Sequence, residues 1–340
     1  MRYVNFTSRL LCSVLPYILL IAPLAQTQDQ VQAPPIRVTV NRVNVPVTVT
    51  NSDGHPVPGL HRQDFQIFDN GIEEPITDFA SVEESTQVVL LIESGPAVLF
   101  LAKNHVLAAD AFLRSVPAAD SVAIASYTRA PELILNFTQD KFAARQALQE
   151  LSFNNGFGDL NLSSSLATTI DWIASVPGKK TIVLLSTGVD SSPPETWKSV
   201  QKKLQTSDVR IFAVSLSSDI RNPAKMKKLT PQDLSNRAEV KEGFAQADQS
   251  LHQLSDATGG RVYFPKDPAD FQRAYNEIAN LVANEYSLAF APTLLDGQLH
   301  TLDVKVKTTN YRVDHRQAYL APLPETLVSA CVSGDRSTIR

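Results

Sequence analysis

The chain of 340 residues contains only two cysteines, Cys12 and Cys331. One falls in an apolar leader and the other in a polar C-terminal stretch. A processed chain therefore has no internal disulfide, and its stability must come from burial. Positive charge is also scarce: 31 Lys and Arg stand against 35 Asp and Glu, for a net charge of -4. The cations are dispersed, which argues against a nucleic-acid partner, because phosphate binding needs a basic face. The six histidines, His55, His61, His105, His252, His300 and His315, show no zinc spacing and no His-Glu-x-x-His pattern, leaving them surface or packing roles. There is no Gly-x-Ser-x-Gly elbow. Gly178-Lys179-Lys180-Thr181 lacks the upstream glycine of a phosphate loop and reads as the turn before a strand. Hydrolase and nucleotidase chemistry thus lack their key residues, and the chain is read as no enzyme.

Long apolar runs are nearly missing too. The exception spans residues 10 to 22, preceded by Arg2 and Arg9 and followed by Ala22-Pro-Leu-Ala25. This is the pattern of a secretory signal over residues 1–25, either cleaved or retained as an anchor. No second run follows, so the mature chain is expected to be soluble, without a transmembrane segment, and secreted or periplasmic.

What is present is patterned. Residues 36 to 49 alternate and are rich in valine, 64 to 69 alternate again, and Asn70-Gly71 is a hairpin dipeptide; residues 36–83 form an N-terminal β unit. From Val88-Val-Leu-Leu-Ile92 the runs become continuously apolar, the mark of strands buried on both faces, and similar runs recur at 122 to 127, 181 to 185 and 209 to 214. Helical periods separate them at about 100 to 115, 139 to 151, 161 to 175 and 193 to 206, with others at 243 to 257 and 268 to 283. The start at Ser192-Pro193-Pro194-Glu195 offers a capping serine. Residues 133 to 137 predict an antiparallel edge strand. Residues 86–284 are therefore a doubly wound α/β domain with a mostly parallel sheet. Alternation returns at 286 to 290, 301 to 307 and 311 to 319. The strands of 285–320 are expected to pair with the N-terminal unit in a β-sandwich-like domain into which the α/β domain is inserted, leaving a flexible tail at 321–340. Trp172 and Trp197 sit at helical positions and read as packing residues.

The chain resembles the von Willebrand factor A-related proteins typified by an acidobacterial group. The resemblance rests on Pro46-Val-Thr-Val with Asp53-Gly54, Leu60 with Asp64-Phe65, the strand from Val88, Gly178-Lys-Lys-Thr-Ile-Val-Leu-Leu185, Thr258-Gly259-Gly260-Arg261, and Glu285-Tyr286 with Asp296-Gly297. It implies an A-domain fold and binding rather than catalysis. It also implies a divalent-cation site at the strand ends, built from an Asp-x-Ser-x-Ser loop, a threonine and an aspartate. Here the first loop is Glu93-Ser94-Gly95-Pro96-Ala97, Asp159 aligns with the threonine, and Thr187 aligns with the aspartate. The resemblance then implies a degenerate site with no cofactor. The alternative is weak Mg²⁺ or Mn²⁺ on Glu93, Asp159 and Asp190.

Residues 217 to 241 form a charged insertion that starts at the same end of the sheet, with Lys225, Lys227 and Lys228. Its bland reading is a solvated loop. The candidate contact surface comprises Glu93, Ser94, Asp159, Asn161, Thr187, Asp190 and these three lysines. The expected role is an exported binding module for a protein or surface polymer. The alternative is a structural or assembly component of the cell envelope that makes its contacts through the β domain.

Overall fold

The computed structural model describes residues 42–95, 102–153, 159–217, 231–308 and 310–324. The expected signal segment, both cysteines, the residues after 324, and Lys225, Lys227 and Lys228 lie outside them.

The chain first builds strands β1 (Val43–Thr50), β2 (Phe65–Asp69), β3 (Ile72–Glu74) and β4 (Ile76–Ala80). Asn70 and Gly71 make the β2–β3 turn with φ of 47° and 82°, a conformation Asn and Gly tolerate. Next come β5 (Thr86–Glu93), α1 (Ala102–Ser115), β6 (Ser121–Tyr127) and β7 (Pro131–Thr138). The helices α2 (Lys141–Gln149) and α3 (Leu162–Ala174) then lead to β8 (Lys179–Ser186), α4 (Pro194–Thr206) and β9 (Arg210–Ser215). The long helix α5 (Pro231–Thr258), the short β10 (Val262–Tyr263) and α6 (Pro268–Ala283) complete this part. Four strands close the chain: β11 (Glu285–Phe290), β12 (Leu299–Val306), β13 (Arg312–His315) and β14 (Ala318–Leu320).

Three sheets result. The central one has the order β10-β9-β8-β5-β6-β7, with β7 antiparallel to β6 at one edge and the other pairs parallel. Along β5, Val88, Leu90 and Ile92 enter a core with α1, α2 and α6, while Val89 and Leu91 enter a second core with α3, α4 and α5. Burial on both faces explains the uninterrupted apolar run. The two antiparallel sheets, β13-β1-β11-β4 and β14-β12-β2-β3, each combine strands from before and after the α/β part. Their shared core includes Val45, Ile67, Tyr286, Leu288 and Val304.

The structure differs from the sequence expectations at four places. Helix α5 spans Pro231–Thr258, so the second part of the insertion expected over 217–241 is helical; its early residues, with only Leu234, Ala238 and Val240 apolar up to Lys241, give no apolar stripe. The single strand expected over 311–319 is two strands in different sheets, because the chain turns at Arg316, whose guanidinium donates to the carbonyls of Leu204, Gln205 and Ser207 at the end of α4. Ser192 does not cap α4; its hydroxyl accepts from the Ser164 N–H (3.4 Å), and Pro193 occupies the cap position. Ala321, placed in the expected tail, is buried in the β core and donates to Gln298 O (2.9 Å).

Candidate functional site at the strand ends

The C-terminal ends of β5, β6 and β8 meet around Glu93, the last residue of β5. Parallel register sets Glu93 beside Tyr127, and β8 ends beside them at Ser186. Glu93 Oε2 accepts from the Thr187 N–H (2.7 Å) and Thr187 Oγ1 (2.9 Å), with longer bonds from Ser186 Oγ (3.2 Å) and the Tyr127 hydroxyl (3.3 Å). Tyr127 and Ser186 share a further hydrogen bond of 2.7 Å, and the Gly188 N–H donates to Ser186 Oγ (2.9 Å). Glu93 and Ser186 are 0 % exposed, and Tyr127 and Thr187 are 1 % exposed. Burial pushes the Glu93 pKa up against the lowering effect of the Thr187, Ser186 and Tyr127 hydrogen bonds. Burial, followed by the nearby Glu93 charge, raises that of Tyr127.

Above this sealed cluster the loops are fastened to one another. Ser94 N–H donates to Tyr127 O (2.9 Å), Asn161 N–H to Thr128 O (2.8 Å) and Ser191 N–H to Leu160 O (2.6 Å). Asp190 ties two segments, accepting from the Ser163 N–H (3.3 Å) and the Ser192 N–H (3.0 Å). Asn161 Nδ2 donates to Arg129 O (3.0 Å), and Arg129 forms an open ion pair with Asp159 (3.7 Å). Gly188, with φ 78°, lies so close to α5 that a Cβ there would sit 2.7 Å from Ala247 O.

The candidate residues therefore separate. Asp159 and Asp190 are exposed and Asn161 is half-buried, all at the rim. Glu93, Ser94 and Thr187, expected as contact residues, point inward. Their side chains are used to join strands, which corrects the sequence reading for these three. The alternative cation set is not brought together either: Glu93 is sealed, Asp159 pairs with Arg129, and Asp190 accepts backbone N–H groups. Among the described residues no group of three or more His, Cys, Asp or Glu is placed to hold a metal ion. Among the described residues, Glu93, Asp159 and Asp190 do not form such a group. At position 95, where a serine was implied, an added Cβ would meet Leu160 Cδ2 at 2.6 Å. Val189, between Thr187 and Asp190, is exposed at the rim; Arg129 and Ser191 are exposed there too and were missed, although they lie just beyond the ends of buried strands, the signal that marked the other loops.

Six strands in this order, an antiparallel hairpin at one edge and helices on both faces decide the fold class. The fold is von Willebrand factor A-like. No protein-family model and no curated protein matches the chain. Solved structures similar to it include a von Willebrand factor type A protein from Catenulispora acidiphila, with 11% identity, 85% of this chain and 76% of that chain covered, and a TM-score of 0.44. BatB from Bacteroides thetaiotaomicron is 8% identical, with coverage of 58% and 98% and a TM-score of 0.41. The PilB minor pilin from Streptococcus sanguinis is 11% identical, with coverage of 62% and 63% and a TM-score of 0.39. The A-like assignment rests on the strand order, and likeness at this level transfers no activity.

Proposed function

We propose that the chain is an exported, non-enzymatic binding module that recognises a protein or a surface polymer through the rim of its A-like domain. The observation that carries this reading is the fastened rim: three loops bonded to one another by main-chain groups while Arg129, Asp159, Val189, Asp190 and Ser191 face outward. Such a surface is preorganised, and preorganisation reduces the ordering cost of association. A catalytic reading finds its best group, Glu93 with Ser186 and Tyr127, closed to any substrate. The hydrogen bond from the Thr187 hydroxyl to the Glu93 carboxyl joins the two strand ends directly.

The test is retention of binding by folded variants. Full-length protein and an Asp159→Ala, Val189→Ser, Asp190→Ala triple variant would be compared for capture of the same envelope component, with circular dichroism as the folding control. Loss of that component only in the variant is the expected result. Equal capture would move the contact off the rim and favour the alternative, an envelope assembly component that uses its β sheets.

A further inference from the structure

A second surface lies at the opposite pole, where the sheet strands begin. There the starts of β1 and β8, the ends of α3 and α4 and the segment after β14 enclose a cleft of about 940 Å³. This is in the upper part of the range for ligand sites. Its cations are Arg42, Lys180, Lys202, Lys203 and Arg316, against two carboxylates, Asp171 and Asp208.

The pairing leaves positive charge over. Lys180 holds Asp208 at 2.9 Å and Lys203 holds Asp171 at 2.5 Å, so both carboxylates of the lining are satisfied by lysines. Arg42 pairs with Asp78, outside the lining, at 2.6 Å. Arg316 is 4 % exposed and spends its donors on carbonyls; burial pushes its pKa down to about 10, so it stays charged at neutral pH. Lys202 is exposed and makes no ion pair among the described residues. With Asp78 included, five cations stand against three carboxylates, an excess of two.

The rest of the wall mixes polar residues, Asn44, Gln205, Thr206 and Ser207, with an apolar part. Ile170, Ala174, Leu320 and Leu323 line it, and Leu323 is 47 % exposed. A bare inorganic anion would leave that wall unused. A polyuronate offers charge without apolar side chains. Charge complementarity and the apolar wall together fit acidic residues interleaved with aliphatic ones.

We infer that this cleft is a docking site for a short acidic, aliphatic peptide segment of a partner protein. It is distinct from the rim and stands or falls separately from the rim proposal.

The test is fluorescence anisotropy on the full chain with a labelled peptide of alternating glutamate and leucine, at low and high salt. Parallel arms use a lysine–leucine peptide and a galacturonate oligomer. Binding of the acidic peptide, weakened about tenfold by Lys202→Glu, by a similar factor by Leu323→Ser, and reduced by salt, is expected. Both positions are exposed, and circular dichroism checks that the variants fold. The proposal is overturned by wild-type affinity in both variants, by no binding at about 1 mM peptide, or by preference for the galacturonate oligomer. Sedimentation showing a dimer that Lys202→Glu dissociates would also overturn it, since a second copy would then be the occupant.

Discussion

Glu93 shows how one methylene changes what a residue does. A longer side chain at the end of β5 reaches the Thr187 N–H and hydroxyl, and the carboxyl becomes an internal fastener. Glu93→Ala leaves the Thr187 N–H and hydroxyl without their acceptor in a dry site and should cost about 3 kcal/mol. Glu93→Gln keeps an acceptor for Thr187 and should cost far less, as denaturant titration of both variants will show. The raised Glu93 pKa gives a sign as well. Its contribution to stability is greatest below the ordinary carboxylate pKa of 4.5 and declines as pH rises through the higher folded value, a decline that Glu93→Gln should lack. Mg²⁺ or Mn²⁺ at millimolar concentration should leave the melting temperature unchanged, because an ion stabilises only a site it occupies. A metal-dependent rise abolished in Glu93→Ala would refute the fastener role. His300 carries a second pH dependence. Its Nδ1 faces Asp69 (2.8 Å) and its Nε2 faces Asp296 (3.1 Å), so only the doubly protonated ring satisfies both. Burial opposes that charge, but Asp69 and Asp296 outweigh it and hold the pKa above 6.5. The stability it supplies is complete below that value and is lost as pH rises through the folded pKa. A melting profile that falls in this alkaline direction in the wild type and not in His300→Gln is expected.

At the scale of elements, Gly188 governs how closely α5 approaches the rim. Gly188→Ala sets a Cβ against the Ala247 carbonyl and strains a left-handed φ, so it should displace α5 and cost about 2 kcal/mol. Hydrogen exchange in the 188–192 loop and in α5 is the measurement, and unchanged protection would reject the close contact. The alternation of apolar residues made much of this architecture legible. The run at Val88, the Asn70-Gly71 turn and the antiparallel edge strand β7 all follow from local pattern, since each depends on neighbours in sequence. The start of α5 did not, because its first residues carry no stripe. Nor did the break at Arg316, which depends on carbonyls more than a hundred positions away. Glu93 meets Thr187 across 94 residues. Spacing placed both at the strand ends, while their direct bond depends on side-chain reach and direction, which spacing does not report.

For the whole molecule, the seam between the A-like domain and the β sheets is polar and buried. Arg210, at the start of β9, is 0 % exposed; it bonds Thr48 of β1 and Gly259 O and pairs with Glu285 of β11 at 3.2 Å. Lys179 reaches across to the carbonyls of Ser81 (3.2 Å) and Glu285 (3.0 Å). Arg316 returns the contact to α4. A chain cut to residues 86–284 removes Thr48, Ser81 and Glu285 together. Breaking a buried pair costs about 3 kcal/mol or more, roughly 6 to 12 °C for a domain of this size. Calorimetry of the fragment against the full chain measures this, and equal melting temperatures would show the seam to be dispensable.

The register of β1 and β11 also decides how the molecule bears a pull. The A-like domain joins the β sheets through Ala80 at the end of β4 and Glu285 at the start of β11. Ala80 pairs with Ser287, and Glu285 with Thr48, so both connections leave from one end of that sheet. Val43, where β1 begins, pairs with Phe290 at the other end. Tension between a tether on the Val43 side and a partner gripped at the rim therefore runs along the strands. It loads the hydrogen bonds of the β1–β11 ladder side by side in shear instead of opening them one after another.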